Sequence, residues 1–263
     1  MCAAPEPLVR ESAVFVWADR ALFVGNRSET DMHSHHATEL SVALDDLGIE
    51  IGGRMQPALR GVCGAVVRAG AEHRLAIPGP KIAVLYVDPQ SAIAASLHEW
   101  LGDEELRVLP EASASEARRR LGGLLSAAET SLADARAICD VLISTFATES
   151  IKPTVDHRVR RVMQRIDTEL DAPPGLDDLA ASVGISPSRL RHVFREQVGL
   201  PISRYALWMR LRTALVEALE GAPMTRAAQT AGFSDAAHFT RTCHQMFGLP
   251  PTAFAPVDHV LVE

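Results

Sequence analysis

Two short stretches of this chain place hydrogen-bonding side chains along one face of a helix. Ser188, Arg191, His192 and Arg195 follow one another at helical spacing, and His238, Thr240, Arg241 and His244 do so further on. A guanidinium donates two parallel hydrogen bonds and matches O6 and N7 of guanine in a major groove, so Arg191 and Arg241 are best suited to reading a base edge. A lone arginine is ordinarily a solvated charge and carries no such meaning. Here the surroundings of both arginines are repeated.

Ala180, Gly184 and Ser186 map onto Ala228, Gly232 and Ser234 with an offset of 48. After one inserted residue, Leu190, Gly199, Pro201 and Tyr205 map onto Phe239, Gly248, Pro250 and Phe254 with an offset of 49. Two copies of one supersecondary unit account for this pattern. Each copy reads as helix, tight turn, helix. A small Ala lets the second helix cross closely, and the Gly supplies the positive φ that ends the first helix. Ile185 or Phe233 fills the corner, and Ser186 or Ser234 is placed to cap the second helix. Pro187 stands at a first helical position, where a missing N–H does no harm. Leu190 and Phe194 turn inward in the first copy, as Phe239 and Cys243 do in the second. A shorter helix over Asp156–Asp171 precedes the first copy. Between the copies, Leu207, Leu211, Ala214, Leu215, Ala218 and Leu219 keep helical spacing until Gly221 and Pro223. One long helix would hold the two reading helices apart by a fixed distance, and successive major grooves lie roughly 34 Å apart.

Residues 155–256 resemble the DNA-binding domain of AraC/XylS-family regulators. The likeness rests on Leu-Ala-x3-Gly-Ile-Ser at 179–186, Arg210-Leu-Arg212-x-Ala214, and Ala-Gly-Phe-Ser-Asp-x-x-His-Phe-x-Arg-x-Cys at 231–243. The resemblance implies that Ser188, Arg191 and His192 reach bases from the first unit, and Ala237, His238, Thr240 and Arg241 from the second. Arg195 shares the first polar face and joins the DNA-binding set. The chain departs from the family pattern at His192, Cys243, His244 and Ala255.

The N-terminal half has a different texture. Val14–Trp17, Ala21–Val24, Leu40–Leu44, Gly48–Ile51 and Ile82–Val87 read as short strands between turn residues such as Gly25-Asn26, Asp45-Asp46 and Pro78-Gly79-Pro80. They suggest a small β-barrel or sandwich. After Pro89 the period becomes helical over Ser91–Leu101, Ser113–Thr130 and Ser131–Thr148, with Ser113 and Glu116 spaced as a capping box. These helices either carry a dimer interface or pack on their own barrel. Lys152-Pro153-Thr154 reads as a hinge.

His33-x-His35-x3-Glu39 and the later Arg68-Ala-Gly70-Ala-Glu-His73 resemble the two motifs of cupin barrels. The resemblance implies His33, His35, Glu39 and His73 as ligands, with His33 and His35 on one side of a strand. Imidazole and carboxylate ligands suit Zn, Fe, Mn or Ni. Regulators with such a barrel also keep it without metal, as a pocket for an organic effector, and Arg68 stands where Pro is usual. Both uses remain open at this point.

The expected architecture is therefore α+β: a cupin-like sensor over residues 1–90, a helical linker and dimerisation region over 91–154, and an all-α DNA-binding domain with two helix-turn-helix motifs over 155–256. The 263 residues carry a net charge of −7. That sum hides an asymmetry, because residues 155–256 hold 12 Arg and no Lys against 10 acidic residues. This excludes a sequence-blind polycation and fits an acidic sensor on a mildly basic reader. The four cysteines are scattered without a CxxC pair, which argues against a thiolate zinc site. No signal peptide or membrane span is expected, which points to the cytoplasm. Expected partners are double-stranded DNA, a small-molecule effector, a second copy of the chain and RNA polymerase. The alternative from another class is a metal-dependent cupin enzyme with an appended helical domain. It needs a general base or an open coordination position, and no such constellation can be placed by spacing. A thiol redox sensor would rest on Cys63, Cys139 or Cys243 without an activating basic cluster.

Overall fold

A computed structural model describes residues 11–26, 29–53, 58–77, 79, 81–126, 130–145, 155–254 and 257–263. The expectations placed on Pro78, Pro80, the hinge at Lys152-Pro153-Thr154 and Ala255 lie outside the described residues.

Eight strands come first: β1 (Ser12–Val16), β2 (Arg20–Gly25), β3 (Thr38–Ala43), β4 (Ile49–Gly53), β5 (Leu59–Val62), β6 (Gly64–Val67), β7 (His73–Ala76) and β8 (Ile82–Val87). Helix α1 (Ala92–Leu101), strand β9 (Leu106–Val108), and helices α2 (Glu111–Ser126) and α3 (Leu132–Ser144) follow. The helical half comprises α4 (His157–Thr168), α5 (Leu176–Ser182), α6 (Pro187–Val198), α7 (Ile202–Leu219), α8 (Met224–Thr230) and α9 (Ala236–Phe247). A 3-10 turn (Pro251–Phe254) and strand β10 (His259–Val262) complete the described elements.

The strands form two sheets. One has seven strands in the order β10-β1-β2-β8-β3-β6-β9, and the other three in the order β5-β4-β7. This is a cupin-like pair of facing sheets, the sandwich of the two forms that the strand spacing left open. Outside the named strands, His33 and His73 join by an isolated antiparallel bridge. The large sheet is covered on both faces. Val14, Val16, Val67, Ile82 and Val84 share one core with Ile49, Ile51 and Leu75 of the small sheet. Ala13, Phe15, Leu22, Val42 and Leu85 point the other way, against Leu97, Leu121, Leu125 and Leu142 of the helices. Burial on both faces explains why these strands read as unbroken apolar runs.

Of the two uses open to the linker helices, the structure displays packing on the same chain. Helices α2 and α3 lie on the large sheet and on each other. The capping box expected at Ser113 and Glu116 is not formed. Helix α2 starts earlier, at Glu111, so Ser113 is buried inside it and Glu116 bonds Arg119 and Arg120 instead. The box sits at Ser131 and Asp134, at the start of α3.

The two helix-turn-helix units are built on α7. Its Tyr205 and Met209 join the core of the first unit with Leu179, Leu190 and Phe194. Its Leu211 and Ala214 join the second with Ala228, Phe239 and Cys243. Val216 and Leu219 then pack against the sheet core.

Strand β10 returns to the first sheet, parallel to β1, with Ala13 opposite His259 and Val16 opposite Val262. The Asp258 carboxylate accepts from the backbone N–H of Glu11 at 2.6 Å and of Ser12 at 3.0 Å. Hydrogen bonds to a charged acceptor are about twice as strong as neutral ones. Asp258→Ala is expected to cost about 1–3 kcal/mol. Hydrogen exchange should speed up in β1 and β10 and stay unchanged in α5 and α6. Unchanged exchange in β1 would refute the latch.

Candidate functional site

The first reading helix, α6, starts where Ser186 accepts the N–H of Arg189 at 3.2 Å. Its buried face carries Leu190, Val193, Phe194 and Val198. The corner before it depends on Gly184 at φ 67° and on the Ile185 N–H bonding Ala180 O at 3.2 Å. Ser188, Arg191, His192 and Arg195 all lie exposed on the opposite face. In the second unit, Phe233 N–H bonds Ala228 O at 2.9 Å, the equivalent closure. The cap differs from expectation: Asp235, not Ser234, accepts the N–H of His238, at 2.6 Å. The one-residue insertion shifted the cap by one position. Ser234 instead bonds the His238 ring at 3.3 Å, and Phe233 meets that ring edge-on at 5.2 Å. The Thr240 hydroxyl donates back to Ala236 O at 2.8 Å. Ala237, Thr240 and Arg241 are exposed, and His238 is half-buried.

The second constellation is buried. His33, His35, Glu39 and His73 bring one ligand atom each to within 4.8 Å of one another. Glu39 comes from β3, opposite Tyr86 in β8, and His73 opens β7. His33 and His35 were expected on a strand, but they lie on the irregular segment before β3. Backbone contacts hold the rings instead. Nδ1 of His33 lies 2.8 Å from Asp31 O, that of His35 2.9 Å from Ala37 O, and that of His73 3.1 Å from Ala71 O.

A carbonyl only accepts, so each of these Nδ1 atoms carries a ring proton, and each Nε2 faces inward, where it can donate to Glu39 when protonated and offer a lone pair to a cation when not. His35 Nε2 stands 3.0 Å from Glu39 Oε2, and His73 Nε2 stands 3.4 Å from it. Burial, with help from its histidine neighbours, pushes His33 down to about 2, and burial lowers His35 as well. Burial would raise Glu39, but hydrogen bonds with His35 and His73 outweigh it and hold the carboxyl well below its ordinary value. Ser41 donates to the other Glu39 oxygen at 2.5 Å. Neutral imidazoles with Nδ1 bonded to carbonyls, facing an anionic carboxylate, make a donor set that fits a divalent cation.

This cluster lies where the two halves of the chain meet. Tyr86, Phe247 and Trp208 place their rings 5.1, 5.8 and 6.5 Å from that of His35. Tyr205 and Trp208 flank His36. Beside it, a cavity of about 120 Å³ runs between β1, β2 and α7, lined by Val14, Val16, Phe23, Leu215, Val216 and Leu219, with Arg212 at its edge. Arg212 also donates to Trp17 O at 3.0 Å.

Residues 179–255 match the family described as a helix-turn-helix domain. Over 108 residues the chain is 32% identical to the arabinose operon regulatory protein of Escherichia coli (strain K12), covering 40% of this chain and 37% of that protein. This part of the chain matches a helix-turn-helix domain and is similar to that of the arabinose regulator. It is also 29% identical over 96 residues to the transcriptional regulator GbdR of Pseudomonas aeruginosa, covering 36% of this chain and 26% of GbdR. The matches thus span well under half the length of these relatives. The fold extends further: ToxT of Vibrio cholerae O395 superposes with a TM-score of 0.59 at 11% identity, over 90% of this chain and 97% of ToxT. A ToxT structure with bound unsaturated fatty acid gives 0.57 at 10% identity, over 91% and 95%.

The sequence missed that the helix-turn-helix domain roofs the histidine cluster, because Trp208 and Phe247 are too distant in the chain for any spacing rule to pair them with His35. Two of the thiols offer little reactivity: Cys243 is buried, and burial pushes Cys139 up to about 12. The cluster is tested by metal analysis of the purified chain after Zn(II) loading. About one equivalent is expected, with a higher unfolding temperature, because the ion binds only the folded site. His73→Ala should lose both. Equal sub-stoichiometric metal in the two proteins contradicts the site.

Proposed function

We propose that this chain is a sequence-specific DNA-binding transcription regulator of the AraC type, with a sensor formed by the N-terminal sheets and their helices. The observation that carries this reading is the pair of exposed polar helix faces, each with one central arginine, fixed on a single helix. Arg191 and Arg241 make base contacts. Ser188, His192, Arg195 and Ala237 complete the reading faces, and His238 and Thr240 contribute from sites already tied to neighbours. The chain acts in the cytoplasm, as two copies on paired half-sites, and alters transcription by RNA polymerase. The sensor is the segment before residue 155, and the reader is the segment after it. No catalytic step is assigned to any residue.

Two sensor inputs fit this reading. The His33, His35, Glu39 and His73 cluster takes a divalent metal of the Zn, Fe, Mn or Ni group. The cavity beside α7 takes an apolar small molecule with a polar end near Arg212. The unsaturated fatty acid bound in one ToxT structure is a molecule of that kind. Sited between sheet and reader, such a ligand would shift the balance of reader poses.

DNA binding is tested by fluorescence anisotropy on a fragment enriched from genomic DNA by the wild-type chain. Arg191→Ala and Arg241→Ala should each weaken binding by about 1–3 kcal/mol and relax preference at one position. Affinity should also fall steeply with salt, as phosphate contacts require. An unchanged affinity in the double variant refutes the reading.

A further inference from the structure

Helix α9, which carries Arg241, ends on the histidine cluster. Its C-cap is Gly248, in the left-handed region at φ 67°. The Gly248 carbonyl accepts the N–H of Asp31 at 3.2 Å, and the Asp31 carbonyl in turn faces His33 Nδ1 at 2.8 Å. One turn back on α9, His244 meets the Asp31 carboxylate at 3.3 Å. A short chain of bonds thus links an outer ring nitrogen of the cluster to the last turn of the second reading helix.

The fit at this point is tight. A Cβ on Gly248 would lie 2.5 Å from Asp31 O, 2.9 Å from Asp31 N and 2.9 Å from His33 Nδ1. Gly199 is its counterpart in the first repeat. It caps α6 in the same left-handed conformation, at φ 80°, yet a Cβ there would meet nothing within 4 Å. The two glycines share a backbone demand, and Gly248 alone of the pair faces the cluster.

We propose that the Gly248–Asp31–His33 contact couples metal occupancy of the cluster to the pose of α9, so that metal and DNA strengthen each other's binding. The inference rests on reading the cluster as a metal site and α9 as a DNA reader. A cation on Nε2 makes the imidazole a stronger donor through Nδ1. That fixes Asp31, whose N–H holds the end of α9. In the docked pose Ala237, Thr240 and Arg241 remain exposed, so docking covers none of them. It removes freedom that DNA binding would otherwise have to remove, which raises affinity. Linkage makes the effect reciprocal.

The test measures affinity for the same enriched DNA fragment with saturating Zn(II) and with chelator. The wild-type chain is expected to bind DNA about fivefold or more tightly with Zn(II), and DNA should raise Zn(II) affinity by the same factor. Gly248→Ala should bring the ratio close to one. Gly199→Ala carries the same left-handed strain without the contact and should keep the wild-type ratio. Asp31→Ala, which leaves the backbone free to fold, should lower the ratio by removing the pair with His244. A Gly248→Ala chain with the wild-type ratio overturns the proposal, and so does a wild-type ratio at or below one. If the wild-type chain binds no Zn(II) or no DNA, the underlying reading fails first. Normal binding of both with a ratio of one sinks only the coupling.

Discussion

Helix α7 is committed to three cores at once, and the rest of the molecule is arranged around that commitment. Tyr205 and Met209 fill the first helix-turn-helix unit, Leu211 and Ala214 the second, and Val216 and Leu219 rest against the sheets. Tyr205, Met209, Leu211 and Ala214 are all buried, so the two units cannot slide along the helix without opening cavities. Polar anchors act in the same sense. Arg210 bonds Leu170 O at 2.8 Å, beside the first unit, and Arg212 bonds Trp17 O at 3.0 Å, at the end of β1. With 18 residues, α7 is about 27 Å long, on the scale that separates successive major grooves. A rigid spacer of that length is what two reading heads on one chain require.

The same packing brings the reader down onto the buried histidines. Trp208 from α7 and Phe247 from α9 wall in an anionic carboxylate and imidazoles whose outer nitrogens are held by backbone carbonyls. Burial keeps those rings neutral, which suits metal ligation. Strand β10 adds a second tie between the halves, since the chain leaves the reader and pairs with β1. Sensor and reader are therefore joined at the cluster, at the cavity beside α7 and at the sheet edge. Under the proposed function, a ligand at either of the first two sites would act on a contact surface already in place.

Legibility followed the range of the interactions. The repeated corners at Gly184 and Gly232, the inward Leu190, Phe194, Phe239 and Cys243, and the long spacer are set within a few helical turns, and the residue pattern records them. The gathering of His33, His35, Glu39 and His73 was legible through the likeness to cupin motifs, although backbone hydrogen bonds rather than strand alternation orient the rings. The second cap was misplaced by one residue because Ser234 and Asp235 are both good caps, and only the turn geometry chooses. Strands β5, β6, β7 and β9 are only three or four residues long, too short for a period to register. Strand β10 follows the helical domain, where no local signal announces a return to a distant sheet. The roof of the cluster was invisible for the same reason.

In the proposed function, one chain holds two grooves at once because α7 fixes the distance between its reading helices. Hydroxyl-radical footprinting of the full chain on its enriched DNA fragment measures this directly. Each bound chain is expected to protect two segments on one face of the duplex, about 10 base pairs apart. A single protected segment, or two at variable spacing, would contradict it.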